Sequence, residues 1–376
     1  MWAGSRVGES ILVLVSMVIS LGMAEIVIRF VPSLQVAKEP EQHFCSPEKR
    51  RHIRNTELGY TEIPGNTYFE KGTAEEHWYF VKVNTDGFRD NYDTGPRQVI
   101  MLGDSILRGT LVSESQTFGY LLDLWYPDIT FRAFGAGGWG QANQLRAYET
   151  LVKVSHKLVI LVYTTSNDIN DNAERATWEN GRLNLNLEWQ VSKGPQSPVF
   201  KLHRVLWNSS ALYPLVFETI VKPLVGRRAA QLSMDEPINV TRLLLSEIAR
   251  RVQANNAELL VVIIPSWNEL KGFADGMAYG RQHEMLRQLA EANPSVTLLD
   301  TTSELAIDPH LKFGLIDTHL NAYGQFLVAS KIDQWLSMEW KNGPMVSPAP
   351  HQFVQEGITQ PDCALADEYA RRLAQP

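Results

Sequence analysis

A three-layer α/β/α fold around a parallel sheet is what this 376-residue sequence predicts, on three observations. Short apolar runs alternate with segments of helical period. The runs are continuous rather than alternating, as in strands buried on both faces. Each of the first three ends in a polar or glycine-rich cluster. With 44 % hydrophobic and 10 % aromatic residues, the chain has material for a full core, which excludes wholesale disorder.

In order, strands are expected at Gln98 to Leu102, Ile129 to Phe134, Leu158 to Tyr163, Glu258 to Ile264 and Val296 to Leu299. Helices are expected at Thr117 to Trp125, Ala142 to Val152, Thr241 to Ala254, Arg281 to Ala292 and Ala322 to Leu336. That makes five mostly parallel strands, joined by right-handed crossovers. Residues 33–97 carry turn signals such as Pro64-Gly65-Asn66 and Asp86-Gly87 but no clear period. They read as an irregular extension with short strands, one around Trp78 to Val83. The main domain covers residues 98–340. Between Ile169 and Val240 the alternation stops, and a structureless loop of that size is improbable in a compact domain. Residues 169–240 are expected to form a lid or cap with short helices, or else a surface decoration. Residues 341–376 read as a tail with a helix at Ala364 to Leu373.

Residues 1–32 hold the apolar run Ile11 to Val31. Its uninterrupted part, Ile11 to Ala24, is about 21 Å long as a helix, which suits a secretory signal. Extended to Val31 it reaches about 31 Å, enough to span a bilayer. It then includes Glu25 and Arg29, which can pair four residues apart. The uncleaved anchor is the preferred reading, ahead of a cleaved signal or a buried core helix. Lys49, Arg50, Arg51 and Arg54 count against exporting the following flank, but they lie well beyond the span. A body outside the cytoplasm is expected.

Composition excludes other classes. A net charge of −7 leaves no basic excess for a dedicated nucleic-acid binder. Two cysteines exclude a disulfide-rich scaffold and a four-thiolate zinc site. Cys45 and Cys363 are either one bridge between the two tails or two unrelated thiols. No clustered metal ligands and no phosphate loop stand out, so neither metal nor cofactor is expected.

Ligands collect outside the carboxyl ends of parallel strands. Gly103-Asp104-Ser105, the run Gly135-Ala136-Gly137-Gly138-Trp139-Gly140 and Asn167-Asp168 follow the first three strands, and Asp317-Thr318-His319-Leu320-Asn321 precedes the last helix. Brought together, they supply what acyl transfer needs. Ser105 is the candidate nucleophile, weak unless a base lies within reach. His319 is the candidate base, and Asp317 would fix its tautomer. The N–H groups of Ser105 and Gly138 and the amide of Asn167 would meet the oxyanion. Singly, each cluster has an ordinary reading as a turn, a helix cap or a surface pair. Arg108 is open between an anionic-substrate contact and a surface role. Trp139 is open between sugar stacking and packing. His310 reads as a loop residue, and His156 and His203 as structural. Asn208-Ser209-Ser210 and Asn239-Val240-Thr241 fit the glycosylation pattern, relevant only to a eukaryotic source.

These blocks, in this order, resemble the SGNH, or GDSL-type, hydrolases. Ser105 stands at the family's nucleophile, Gly138 at its oxyanion glycine, Asn167 at its oxyanion asparagine, and Asp317 and His319 in its last block. Residues 84–90 and the apolar amino terminus look like the membrane-anchored bacterial branch. Two departures are present. Ser166 replaces the usual glycine, and Asp317 precedes His319 by two residues rather than three, a spacing that looks like that of polysaccharide O-acetyltransferases and acetylesterases. The resemblance implies a flavodoxin-like sheet and an extracytoplasmic serine esterase, in the periplasm or at the cell surface. It would act on O-acetyl or short acyl esters, on a surface glycan or lipid-linked sugar, through an acyl-Ser105 intermediate. An O-acyltransferase, a lipase or lysophospholipase, and a non-catalytic glycan-binding protein are the alternatives.

Overall fold

The computed structural model describes residues 3–31, 34, 41–72, 77–89, 98–179, 182–187, 205–207, 209–221, 234–272, 278–314, 319–340, 358, 360–364, 366 and 368. Helix α1 (Ala3–Phe30) comes first, followed by β1 (Glu41–Phe44), β2 (His52–Asn55), β3 (Gly59–Glu62), β4 (Thr67–Lys71) and β5 (Tyr79–Lys82). The main domain runs β6 (Gln98–Gly103), α2 (Ser105–Arg108), α3 (Phe118–Trp125), β7 (Thr130–Gly135), α4 (Gln141–Leu151), β8 (His156–Thr164) and α5 (Asp168–Arg175). Next are β9 (Ala176–Glu179), β10 (Arg182–Leu185), α6 (Leu212–Val216) and α7 (Asp235–Ala254). It closes with β11 (Glu258–Ile264), α8 (Trp267–Leu270), α9 (Tyr279–Ala292), β12 (Val296–Asp300), α10 (Thr302–Ala306) and α11 (Ala322–Met338).

The central sheet has the order β12-β11-β8-β6-β7, and every pairing in it is parallel. The expected five-stranded parallel sheet is therefore present, in the flavodoxin-like order 2-1-3-4-5. Successive side chains of a strand face opposite ways, and here both faces are apolar. Ile100, Leu102, Val159, Leu161, Val261 and Ile263 pack beneath α4, α7 and α9. Their neighbours Val99, Met101, Ile160, Val162, Leu260 and Val262 pack beneath α3 and α11. Two dry interfaces follow from uninterrupted apolar strands, and three layers follow from those. The chain passes from β6 out to β7 on one side, then from β7 back over β6 to β8 on the other, so the switch point lies between the carboxyl ends of β6 and β8.

Two boundaries differ from expectation. Helix α7 begins at Asp235 rather than Thr241, because Asp235 and Glu236 favour a helix amino terminus and Pro237 falls where its missing N–H costs nothing. Helix α5 follows β8 directly, where alternation seemed to stop, because Asp168, Asp171 and Arg175 make it polar on one side. The β9–β10 hairpin comes next.

The extension is more regular than its sequence suggests. It forms an antiparallel sheet β1-β4-β5 and a β2-β3 hairpin. Cys45 is disulfide-bonded to Cys363 with their Cα atoms 5.2 Å apart, and Trp78 forms a β-bridge with Ile358. Ile358 and Cys363 of the tail thus lie against the extension.

Helix α1 includes the window Val13–Phe30, of mean hydropathy 2.0 and almost wholly exposed. It is long and apolar enough to cross a membrane. Glu25 pairs with Arg29 at 2.9 Å. The same carboxylate accepts from Ser210 Oγ at 2.7 Å and from the backbone N–H of Ala211 and Leu212. The start of the 209–221 segment of the insert therefore lies against α1.

Candidate active site

The nucleophile turn is built on close packing. A Cβ on Gly103 would stand 2.6 Å from Leu107 Cβ, so only glycine lets β6 run straight into α2. Asp104 is fully buried and accepts from Ile106 N at 2.8 Å, capping the short helix that Ser105 begins. Ser105 thus sits at the switch point. His319 Nε2 lies 2.8 Å from Ser105 Oγ.

His319 is held from both sides. Gly314 N donates to its carbonyl at 2.9 Å, and Phe313 bridges Leu320. Asn321 caps α11 by accepting from Gly324 N. Buried Gln325, one turn into α11, donates to Ile106 O at 3.1 Å and accepts from Phe118 N. That side chain locks the helix that follows His319 to the nucleophile helix, and its sequence context gave no signal of it. Asp317 lies outside the described residues.

Gly138 has φ +76°, a left-handed conformation that suits glycine. The neighbouring carbonyl of Gly137 accepts from Tyr60 Oη at 2.6 Å, so the extension fixes the glycine loop. Asn167 stands beside the nucleophile turn, as expected. Its Nδ2 donates to Asp104 Oδ2 at 3.2 Å and to Asp171 Oδ2 at 2.7 Å. Both amide N–H groups are therefore engaged by carboxylates.

Asp168, next in sequence, is fully buried. Its Oδ2 accepts from Thr164 N and Gln141 Nε2, while its Oδ1 has no hydrogen-bond partner among the described residues. Burial, then the neighbouring Asp104, push this carboxyl well above the usual carboxylate range. Burial likewise raises Asp104 and Asp171.

Arg108 corrects both of its sequence readings. It is 1 % exposed and forms ion pairs with Glu62 and Glu70, the latter at 3.0 Å. It also donates to Tyr68 Oη at 2.6 Å. Arg51 pairs with Glu62 at 2.9 Å. Burial works against the Glu62 charge, but Arg108 and Arg51 hold its carboxyl well below the usual range. The result is a charged seam between α2 and the extension, directly behind Ser105.

Trp139 is fully buried against Phe88 and Tyr60, which settles it as packing. His156 is buried between Tyr148 Oη and Val154 O, each at 2.9 Å. His310 meets the Trp267 ring edge-on in a loop. His203 and Asn208 lie outside the described residues. Among the described residues no cluster of three or more His, Cys, Asp or Glu is arranged to hold a metal ion.

No protein-family model and no curated protein matches the chain. Solved structures similar to it include the psychrotrophic esterase EstA from Pseudoalteromonas sp., at 14 % identity and a TM-score of 0.38, covering 64 % of this chain and 98 % of that one. A lipase/acylhydrolase from Enterococcus faecalis is 11 % identical with a TM-score of 0.39, covering 68 % and 99 %. A member of the lipolytic protein G-D-S-L family from Veillonella parvula is 12 % identical with a TM-score of 0.37, covering 65 % and 99 %. The strand order 2-1-3-4-5 is the architecture that the resemblance to the SGNH hydrolases implied, and Ser105 meets His319 at its switch point.

Proposed function

We propose that the protein is a serine ester hydrolase of the SGNH type. The observation that carries this is the 2.8 Å contact between His319 Nε2 and Ser105 Oγ, at the edge of the sheet where ligands bind. As Oγ attacks the ester carbonyl, His319 Nε2 takes its proton. Negative charge then develops on the carbonyl oxygen. The N–H groups of Ser105 and Gly138 meet it, with the Asn167 amide once it releases Asp104. His319 returns the proton to the departing alkoxide, leaving an acyl-Ser105 ester and a free alcohol. Water, deprotonated by His319, then attacks that ester; as the acyl–Oγ bond breaks, His319 returns the proton to Ser105 Oγ, and the acid is released. Asp317 is the expected partner of the other imidazole nitrogen.

Helix α1 would hold this body at a membrane, outside the cytoplasm. Residues 1–32 would then be the anchor, 33–97 the extension, 98–340 the hydrolase domain and 341–376 its tail. The two-residue Asp317–His319 spacing resembles that of polysaccharide O-acetyltransferases and acetylesterases, and that resemblance, with an extracytoplasmic body, implies O-acetyl or other short acyl esters on a surface glycan or lipid-linked sugar. The same spacing supports a second reading, in which a sugar hydroxyl replaces water and the protein is an O-acyltransferase.

Turnover of acetyl esters by the full-length protein in detergent tests the proposal. Wild type releases acetate and Ser105→Ala is silent. Equal release by both would sink the assignment. Adding an oligosaccharide separates the two readings, since an acyltransferase moves the acetyl group to sugar at the expense of free acetate.

A further inference from the structure

Arg51 stands just before β2, on the extension rather than in the hydrolase domain. Its Nε donates to Glu62 Oε1 at 2.9 Å. Its Nη2 is enclosed and has no hydrogen-bond partner among the described residues. An unspent donor on a buried guanidinium is costly, and natural folds seldom keep one without a use for it. Its position supplies that use. A Cβ built on Gly137 would lie 3.2 Å from Arg51 Nη2 and 3.9 Å from Ser105 Cβ. A side chain at Gly137 would therefore stand close to both the guanidinium and the nucleophile. Among the described residues, no other side chain comes within 4 Å of that position. Meanwhile both N–H groups of Asn167, the side-chain donor expected at the oxyanion, are taken by Asp104 and Asp171.

We propose that Arg51 is a catalytic residue whose Nη2 donates to the oxyanion formed when Ser105 attacks the ester. This rests on the serine-hydrolase reading. The charge is fixed: burial and Arg108 oppose it, but Tyr68, Glu62 and Glu70 outweigh them, and the guanidinium stays protonated. The orientation is fixed too, because Glu62 is itself pinned by Arg108 and Tyr68. Such a donor needs no reorganisation when charge appears, which is the condition under which electrostatic stabilisation is strongest. A positive charge already balanced by Glu62 also gives neutral ester substrates little ground-state attraction. Its effect therefore falls on turnover.

The test uses full-length protein in detergent with a nitrophenyl acetate ester. In Arg51→Ala, kcat falls about a hundredfold while KM barely moves. Added guanidinium ion restores part of that kcat, and restores none in Ser105→Ala. Gly137→Ala keeps Arg51 but puts a methyl group close to it and to Ser105, and it lowers kcat in the same way. Should Arg51→Ala fail to fold, as judged by circular dichroism, Gly137→Ala decides the matter. An unchanged kcat, or a loss confined to KM, overturns the proposal. Labelling of Ser105 by a fluorophosphonate separates the two failures. A folded wild type that does not label removes the serine-hydrolase reading itself, whereas a labelled enzyme indifferent to Arg51 removes only this inference.

Discussion

Arg108 closes the nucleophile helix and runs into the amino-terminal sheet, where it meets Glu62, Glu70 and Tyr68. Removing it strands buried carboxylates. Arg108→Met should lower unfolding stability by about 3–5 kcal/mol in a denaturant melt, the usual cost of breaking a buried pair from one side. A loss under about 1 kcal/mol would mean that the seam is solvated and contributes little. The role of Arg108 is hidden in the sequence, because its partners lie far up the chain and nothing near it signals burial. Ser105 and His319 are legible, since each falls in a polar cluster at a strand end or before the last helix. Arg51 is, in the sequence, only one of several bases following the span. Its approach to Gly137 depends on how the extension folds back. Asp104 and Asp168 are legible as positions beside functional residues, but not as buried acids of raised pKa.

Among the elements, the five core strands can be read because a short, continuous apolar run bounded by turn residues fits a strand buried on both faces and little else. Of the five short strands of the extension, the sequence marks only β5, expected around Trp78 to Val83 and found at Tyr79–Lys82. At four or five residues each, they are too short to establish a period, and they carry buried charge, as at Glu62 and Glu70, where alternation would place apolar groups. Their stability leans on the Cys45–Cys363 link. Cys363→Ser should lower stability by about 2–4 kcal/mol, and a reductant should bring the wild-type melt down to match. Identical melts with and without reductant would show that the bridge contributes nothing. The α6 segment depends in turn on Glu25, which accepts the N–H groups of Ala211 and Leu212. Glu25→Ala should speed proteolytic cleavage within residues 205–221, and an unchanged cleavage map would show that the segment holds itself.

For the molecule as a whole, two sets of carboxyls respond oppositely to pH. Burial would raise Glu70, but Arg108 and Arg51 hold it at about 2 against an ordinary 4.5. Its folded pKa is depressed, so its contribution to stability is present above pH 4.5 and is lost as pH falls toward 2. Asp104, Asp168 and Asp171 are raised. They retain protons that an unfolded chain would release, so they favour the folded state in acid and cost stability above the ordinary carboxylate range. Acid unfolding should therefore begin with the seam between extension and core. Glu70→Gln should flatten the loss of stability between pH 4.5 and 2, which denaturant melts across that range would read. An equally steep loss would place the acid-sensitive groups elsewhere. The same seam joins an extension that carries Arg51 and Tyr60 to a domain that carries Ser105, so the site is a product of both. The central claim is that Ser105 is an activated nucleophile. It is tested most directly by intact-mass measurement after exposure of the full-length protein to a fluorophosphonate. A single phosphonyl adduct on wild type, absent from Ser105→Ala and formed far more slowly in His319→Ala, is the result predicted. A folded wild type that gains no mass, or an adduct that persists in Ser105→Ala, would contradict it.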